Sequence, residues 1–368
     1  MGRLTKRADN RFTVTVTLDG KRRFFYGKTQ AEARAKADEA RARVKAGGPV
    51  RDATRTLADW LTEWADTYLA LSDRAASTKE LHAGYCRKWI IPTIGHVPLG
   101  NLSVNDINRL LLALKDAGRA EATRRNCYTT LRKALDDAVT NGLLAANPAH
   151  RIRQPGVVRH EARFLTPEEV ARLLNAAQTH RYGVVLRFIL GTGLRRGEAL
   201  ALRWVDVELD NEGNPHARLR GSLTRRNGQL VISGVKTKAS RRSIALSPAM
   251  VALLRQHKAQ QAAERLKAGN RWRDHGHVFT TVEGAPVEPQ NVLRTVREAA
   301  RKAGLPGVTV HSLRHTYATA ALLNGVALKV VSANLGHASI QITADIYGHV
   351  TDDAARAGAA KVAEALGL

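Results

Sequence analysis

The chain has 368 residues, 44% of them apolar and 5% aromatic, with 58 Lys+Arg against 33 Asp+Glu for a formal charge of +25. That length exceeds what one hydrophobic core organises and rules out a single small binding module; at roughly 150 residues per domain it implies about two or three domains. No run reaches the ~18 apolar residues of a membrane span, and no apolar signal core follows Met1-Gly2-Arg3-Leu4, so a soluble intracellular protein is expected. Cys86 and Cys127 have neither the density of a disulfide scaffold nor metal-ligand spacing, and read as reduced structural thiols. The charge is spread along the chain: residues 1–50 carry net +8, 51–155 net +4 and 156–368 net +13. A polyanion touched along the whole chain fits this better than one basic tail, and nucleic acid is the leading candidate.

In chain order, Phe12, Val14, Val16 and Leu18 alternate with Thr13, Thr15 and Thr17 until Asp19-Gly20 turns the chain into Arg22–Tyr26, a β-hairpin signature. Thr29 and Glu32 then form a capping box opening a helix to about Lys45, which stops at Gly47-Gly48-Pro49. Lys21, Arg22 and Arg23 at the hairpin turn are candidate DNA contacts. From Leu57, the residues Trp60, Leu61, Trp64, Tyr68 and Leu71 follow helical spacing, and further helical periods occupy 81–89, 107–114 and 128–139. The Trp and Tyr residues lie on the apolar stripe and are expected in a core. Ser103 with Asp106 caps one of these helices.

Arg151, Arg153, Arg159 and Arg163 surround Pro155-Gly156 without a helical period, which reads as an extended basic linker that contacts DNA. Thr166-Pro167-Glu168-Glu169 starts a helix with Pro at its first position. Strand-like runs come next at 217–223, 230–233 and 243–246, with helices from Pro248, from Pro289 and from Ser312 onward. The expected fold is α+β and multidomain. It comprises a β-hairpin/helix domain (1–50), an all-α domain (55–150), a basic linker (151–165) and a mainly α mixed domain with a small antiparallel sheet (166–368).

Four separated features carry chemistry: Thr192-Gly193-Leu194-Arg195-Arg196-Gly197-Glu198, Lys236-Thr237-Lys238, His311-Ser312-Leu313-Arg314-His315, and Leu335-Gly336-His337 followed ten residues later by Tyr347. Singly they are ordinary helix-face patterns. Together, two arginines, a lysine, two histidines and a tyrosine supply charge clamps, proton donors and acceptors, and a nucleophile for phosphodiester transfer without metal. Tyr317, in an apolar helix, and Tyr182, which precedes an apolar helix, suit the nucleophile less well than Tyr347.

This ordered set resembles the catalytic signature of the tyrosine site-specific recombinases, the phage integrase family. The resemblance is specific over Thr192–Glu198 and His311–Val350, while residues 55–150 look like the family's core-site-binding domain and residues 1–50 like an arm-site-binding domain. It assigns the catalytic set to Arg195, Lys236, His311, Arg314, His337 and the nucleophile Tyr347, with Lys238 as the alternative lysine and Glu198 as a brace. Ser312 stands where many members carry Asp. Arg196, Arg241 and Arg242 are expected on the DNA backbone or in solvent. The resemblance implies cutting and rejoining of DNA through a 3′-phosphotyrosine, with no cofactor and no metal. It further implies double-stranded attachment sites, a homotetramer on DNA, accessory host bending or excision factors, and a cytoplasmic, nucleoid-associated setting in a bacterial host. The competing classes are a metal-dependent nuclease or transposase, which would need clustered carboxylates, and a non-enzymatic DNA-binding regulator. Asp206, Glu208 and Asp210 alternate on a strand-like run but have no evident acidic partner elsewhere.

Overall fold

The computed structural model describes residues 3–6, 12–18, 21–45, 55–157, 163–211, 213–226, 228–234 and 242–347, with the single positions 363 and 367. It divides into two compact units, Met1–Arg159 and His160–Leu368.

In the first unit, β1 (Arg3–Lys6), β2 (Phe12–Leu18) and β3 (Lys21–Gly27) form an antiparallel sheet in that order. The period-2 pattern turns Val14, Val16 and Leu18 inward, where they pack with Ala33 and Ala37 of α1 (Gln30–Lys45). Thr29 Oγ1 accepts the Glu32 amide at 3.1 Å, opening that helix. β1 extends the expected hairpin to three strands; its four residues, with Leu4 the one apolar side chain, are too few to show an alternation.

Residues 55–152 are helical: α2 (Leu57–Glu63), α3 (Leu69–Leu71), α4 (Ala76–Tyr85), α5 (Ile91–Ile94), α6 (Val104–Asp116) and α7 (Glu121–Thr140). Capping boxes at Thr56/Asp59 and Ser103/Asp106 open α2 and α6. Trp60, Trp64 and Tyr128 are buried with Ile90, Ile107, Leu110 and Leu131. Each pairs its polar atom: Trp60 Nε1 donates to Ala134 O at 2.9 Å, Trp64 Nε1 to Asp137 Oδ2 at 2.8 Å, and Tyr128 OH to Ala149 O at 2.8 Å. Leu71 departs from the expected stripe and is 81% exposed. Between α2 and α3 the chain takes a π turn, Trp64–Tyr68, with the Leu69 amide reaching back to Trp64 O. The wider turn rotates the residues after it off the stripe. Cys86 and Cys127 are free and buried, and burial pushes both thiols up to about 12.

The second unit builds its larger core around Phe188 and Phe279, whose rings are 5.4 Å apart, with Leu186, Ile189, Val292, Val296 and Leu313, and a smaller one from Ala318, Leu322, Val331 and Leu335. Its helices are α8 (Pro167–Ala176), α9 (Gly183–Thr192), α10 (Arg196–Ala201), α11 (Pro248–Ala268), α12 (Pro289–Lys302), α13 (Val310–Leu323), α14 (Leu328–Leu335) and α15 (Gln341–Tyr347). The Thr166/Glu169 capping box opens α8. The run 217–223 is two strands, not one. It breaks at Arg220 into β5 (His216–Leu219), paired with β4 (Val207–Glu208) and β8 (Arg242–Ala245), and β6 (Gly221–Arg226), which hairpins with β7 (Gln229–Gly234). Of the acidic run Asp206, Glu208 and Asp210, only Glu208 lies in a strand. α13 begins at Val310, two residues before the expected start, because Ser312 serves as its third residue in a capping box with Thr309. The fold is α+β, mainly helical with small antiparallel sheets, as the sequence implied. Among the described residues, no helix is long and apolar enough to cross a membrane.

Candidate active site

The α9–α10 junction places the first arginine. α9 ends at Gly193, whose φ of +67° forms a left-handed cap; a Cβ there would collide with the Tyr317 ring. The chain then re-enters a helix at once, so Arg195 sits at the start of α10 with its side chain 44% exposed. Glu198, one turn on and 4% exposed, accepts the Arg195 amide at 2.9 Å and Arg195 Nη1 at 3.1 Å. The brace expected of Glu198 is thus present.

α13 supplies the second arginine and two histidines. Arg314, 3% exposed, donates Nη1 to Gly193 O at 2.8 Å and Nη2 to Leu335 O at 2.6 Å. Arg195 reaches the same helix end, donating Nη2 to Gly336 O at 3.0 Å and Nη1 to Leu335 O at 3.4 Å. The C-terminal carbonyls of α14, the negative end of its dipole, therefore hold both guanidinium groups in place. Gly336 caps α14 at φ +63°, and the next residue is His337. Its Nδ1 lies 2.7 Å from Oγ1 of the fully buried Thr343 of α15, which leaves Nε2 for a substrate.

Arg195, His311, Arg314, His315 and His337, with Ala318, Leu335 and Ile342, line one concave pocket of about 150 Å3. The sequence had singled out four of these polar residues. The fifth, His315, meets His311 edge-on at 4.5 Å between ring centroids, and its spacing of four residues along the helix was the available signal. Tyr347 is the last residue of α15, four positions and about one turn beyond Thr343. Lys236, Lys238, Arg241 and Arg159 lie outside the described residues.

The site is electropositive, and its histidines are held neutral. Burial, with Arg314 and Arg195 beside it, lowers His311; burial and His311 bring His315 down to about 4, and burial, Arg314 and Arg195 bring His337 down to about 4. Burial and Arg195 bring Arg314 down to about 9, still a cation at neutral pH. Burial works to raise the Glu198 carboxyl, but its bonds to Arg242 and Arg195 outweigh that and hold it below the usual carboxylate range. Such a pocket offers fixed positive charge and neutral proton carriers to a phosphate, and the histidines also set a pH dependence of folding. The folded chain keeps His315 and His337 neutral while the unfolded chain protonates them near 6.5, so unfolding takes up protons between about pH 6.5 and 4. Stability is therefore full above 6.5 and declines as pH falls toward 4. A melting-temperature series should show this decline, shallower in His315→Gln; a flat series across that window would contradict it.

Arg242 corrects the expectation of a DNA-facing or solvated side chain. It is 9% exposed and donates Nη1 and Nη2 to Glu198 Oε1 and Oε2 at 3.2 and 3.0 Å, and Nε to Asn334 O at 2.7 Å. The period-2 pattern that buries Ile244 and Leu246 also turns Arg242 inward, a signal the Arg241-Arg242 doublet obscured. Arg163 is also engaged within its own unit, with Glu169 at 2.7 Å and Pro306 O at 2.5 Å. Arg151 and Arg153 are exposed, as are Arg22 and Arg23 on β3, where the backbone of Lys21 pairs with Leu18. Glu198→Ala would leave Arg242 buried without its counter-charge and is expected to cost about 3–5 kcal/mol in denaturant unfolding. Stability within experimental error of the parent would contradict the shared ion pair.

A family model described as the phage integrase family matches residues 163–354. A tyrosine recombinase XerC-like protein of Caldanaerobacter subterraneus subsp. tengcongensis is 32% identical over 360 residues, covering 92% of each chain. An integrase of Streptomyces ambofaciens is 31% identical over 336 residues, 87% of this chain and 83% of the relative. Among solved structures, the Tn1549 transposon integrase in complex with a circular intermediate DNA aligns with a TM-score of 0.69 at 19% identity, over 84% of this chain and 100% of that one. A lambda integrase tetramer bound to a Holliday junction aligns at 0.62 and 19% identity, over 93% and 94%. At these identities the solved structures establish the shared fold, and the sequence matches establish the kinship: the chain belongs to the phage integrase family of tyrosine recombinases.

Proposed function

We propose that this chain is a site-specific DNA recombinase that integrates and excises a mobile element, cutting and rejoining DNA through a 3′-phosphotyrosine. The observation that carries this reading is the gathering of Arg195, His311, Arg314 and His337 around one pocket, with His337 tied to the helix that ends at Tyr347. In the proposed reaction the Tyr347 phenol loses its proton toward His311, and its oxygen attacks the scissile phosphorus. Arg195 and Arg314 hold the non-bridging oxygens, and His337 adds a hydrogen bond. The bond to the 5′ oxygen breaks as Lys236 delivers a proton to that leaving group. A 5′-hydroxyl from a second duplex then attacks the phosphotyrosine, returning the phenol and joining the strands with no external energy source.

The domains divide this labour: residues 1–50 bind arm-type DNA, 55–150 bind the core site, 151–165 link, and 166–368 catalyse. Exposed Arg22 and Arg23 on the N-terminal sheet, with Arg151 and Arg153 at the start of the linker, are the described basic residues offered to the DNA backbone. The assembly is a homotetramer on double-stranded attachment sites, aided by a host bending or excision factor, in the bacterial nucleoid.

The test is a covalent trap. The protein is incubated in EDTA with DNA from the ends of its own element, and a detergent-resistant protein–DNA adduct is sought. An adduct without metal supports the reading. Binding without an adduct, with cutting restored by Mg2+, would replace it by a metal-dependent nuclease.

A further inference from the structure

Four hydrogen bonds converge on the buried Glu198 carboxylate, and they are unevenly shared. Arg242 takes both oxygens with its fork, while the Arg195 side chain makes one bond at 3.1 Å and the Arg195 amide another. A carboxylate facing a lone guanidinium closes onto it with two parallel bonds, cancelling its charge and occupying the edge a phosphate needs. At Glu198 that place is already filled by Arg242, so the carboxylate takes one bond from the Arg195 guanidinium, whose Nη1 and Nη2 also donate to Leu335 O and Gly336 O, and the rest of its donors stay available to a ligand. Arg242 also seats the turn before His337: its Nε holds Asn334 O at 2.7 Å, and its guanidinium lies against Gly336 so closely that a Cβ there would stand 2.5 Å from Nη1. A glycine is thus required twice at this position, by the left-handed φ and by the arginine beneath it.

We propose that Arg242 is a positioning residue for the phosphate clamp, limiting Glu198 to a single bond with the Arg195 guanidinium and fixing the Asn334–Gly336 turn that carries His337. It touches no substrate. This inference rests on the recombinase reading and deepens it, because it states what keeps Arg195 available to the scissile phosphate. Loss of Arg242 lets Glu198 pair fully with Arg195, which weakens neutralisation of the phosphate charge specifically.

The test compares two DNA substrates at the cleavage position mapped with the unsubstituted protein, one with the ordinary phosphate and one with a methylphosphonate there. The methylphosphonate lacks the negative charge the arginines must neutralise. Arg242→Gln is expected to slow adduct formation on phosphate by about tenfold to a hundredfold, short of the ~10²–10³ for a donor that touches the phosphate itself. On methylphosphonate most of that loss should vanish. Equal slowing on both substrates, or none on phosphate, would overturn the proposal by reducing Arg242 to a general packing role. Arg242→Lys, which keeps the charge but cannot make the three bonds together, is read the same way if the glutamine variant fails to fold. Absence of any adduct from the unsubstituted protein on ordinary DNA would instead remove the recombinase reading underneath.

Discussion

Tyr347→Phe is expected to bind element-end DNA like the parent protein and to form no covalent adduct with it, a loss limited only by detection. The substitution deletes one oxygen from the last residue of α15 and leaves intact the contact that anchors that helix, Thr343 to His337. With a reference pKa near 10, only about one tyrosine in a thousand is ionised at pH 7, so an effective phenol nucleophile needs proton acceptors and fixed positive charge nearby. The pocket that Ile342 of the same helix helps to line holds both kinds of group: neutral histidines that can take a proton and two guanidinium groups that can absorb charge on a phosphate. Gel shift and denaturing-gel trapping on the same samples separate binding from chemistry. An adduct from the phenylalanine variant would mean another residue attacks.

Arg314→Ala should lower single-turnover cleavage by ~10²–10³, the effect of removing one donor from a preorganised anion cradle. This arginine also joins the helix bearing His311 to the end of α9 and the end of α14 through Gly193 O and Leu335 O. Each buried carbonyl left without a donor costs about 1–3 kcal/mol, so a drop in melting temperature should accompany the kinetic loss. Leu335 O retains a long bond from Arg195, which places the larger share of that cost at Gly193. Arg314→Lys keeps the charge but cannot span two carbonyls and still face a phosphate, and should recover little activity. Cleavage by Arg314→Ala within a few-fold of the parent would remove it from the phosphate clamp.

Much of the site was legible because its chemistry is packed into short local motifs. The sequence from Gly193 to Glu198 encodes a left-handed cap, a re-entrant helix and its brace within six residues. His311 and Arg314 lie close together near the start of one helix. Capping boxes at Thr166 and Ser103 marked helix starts for the same reason, since donor and acceptor lie three residues apart. What escaped is decided by partners distant in sequence. Arg242 looked like one more surface charge until Glu198, 44 positions earlier, and Asn334, 92 later, supplied buried acceptors. The break at Arg220 arises from two different pairing partners on either side, β8 for one strand and β7 for the next. Leu71 faces solvent because a π turn just before it shifts the helical phase, and nothing in the apolar spacing signals that extra width.

The most direct measurement is to digest the trapped adduct with protease and nuclease and identify the nucleotide-bearing peptide by mass spectrometry. Covalent attack by Tyr347 predicts a nucleotide joined through a 3′-phosphate to the tyrosine of the Asp345-Ile346-Tyr347-Gly348 segment. A nucleotide found on Tyr317, on Tyr182 or on a serine or histidine instead would contradict it.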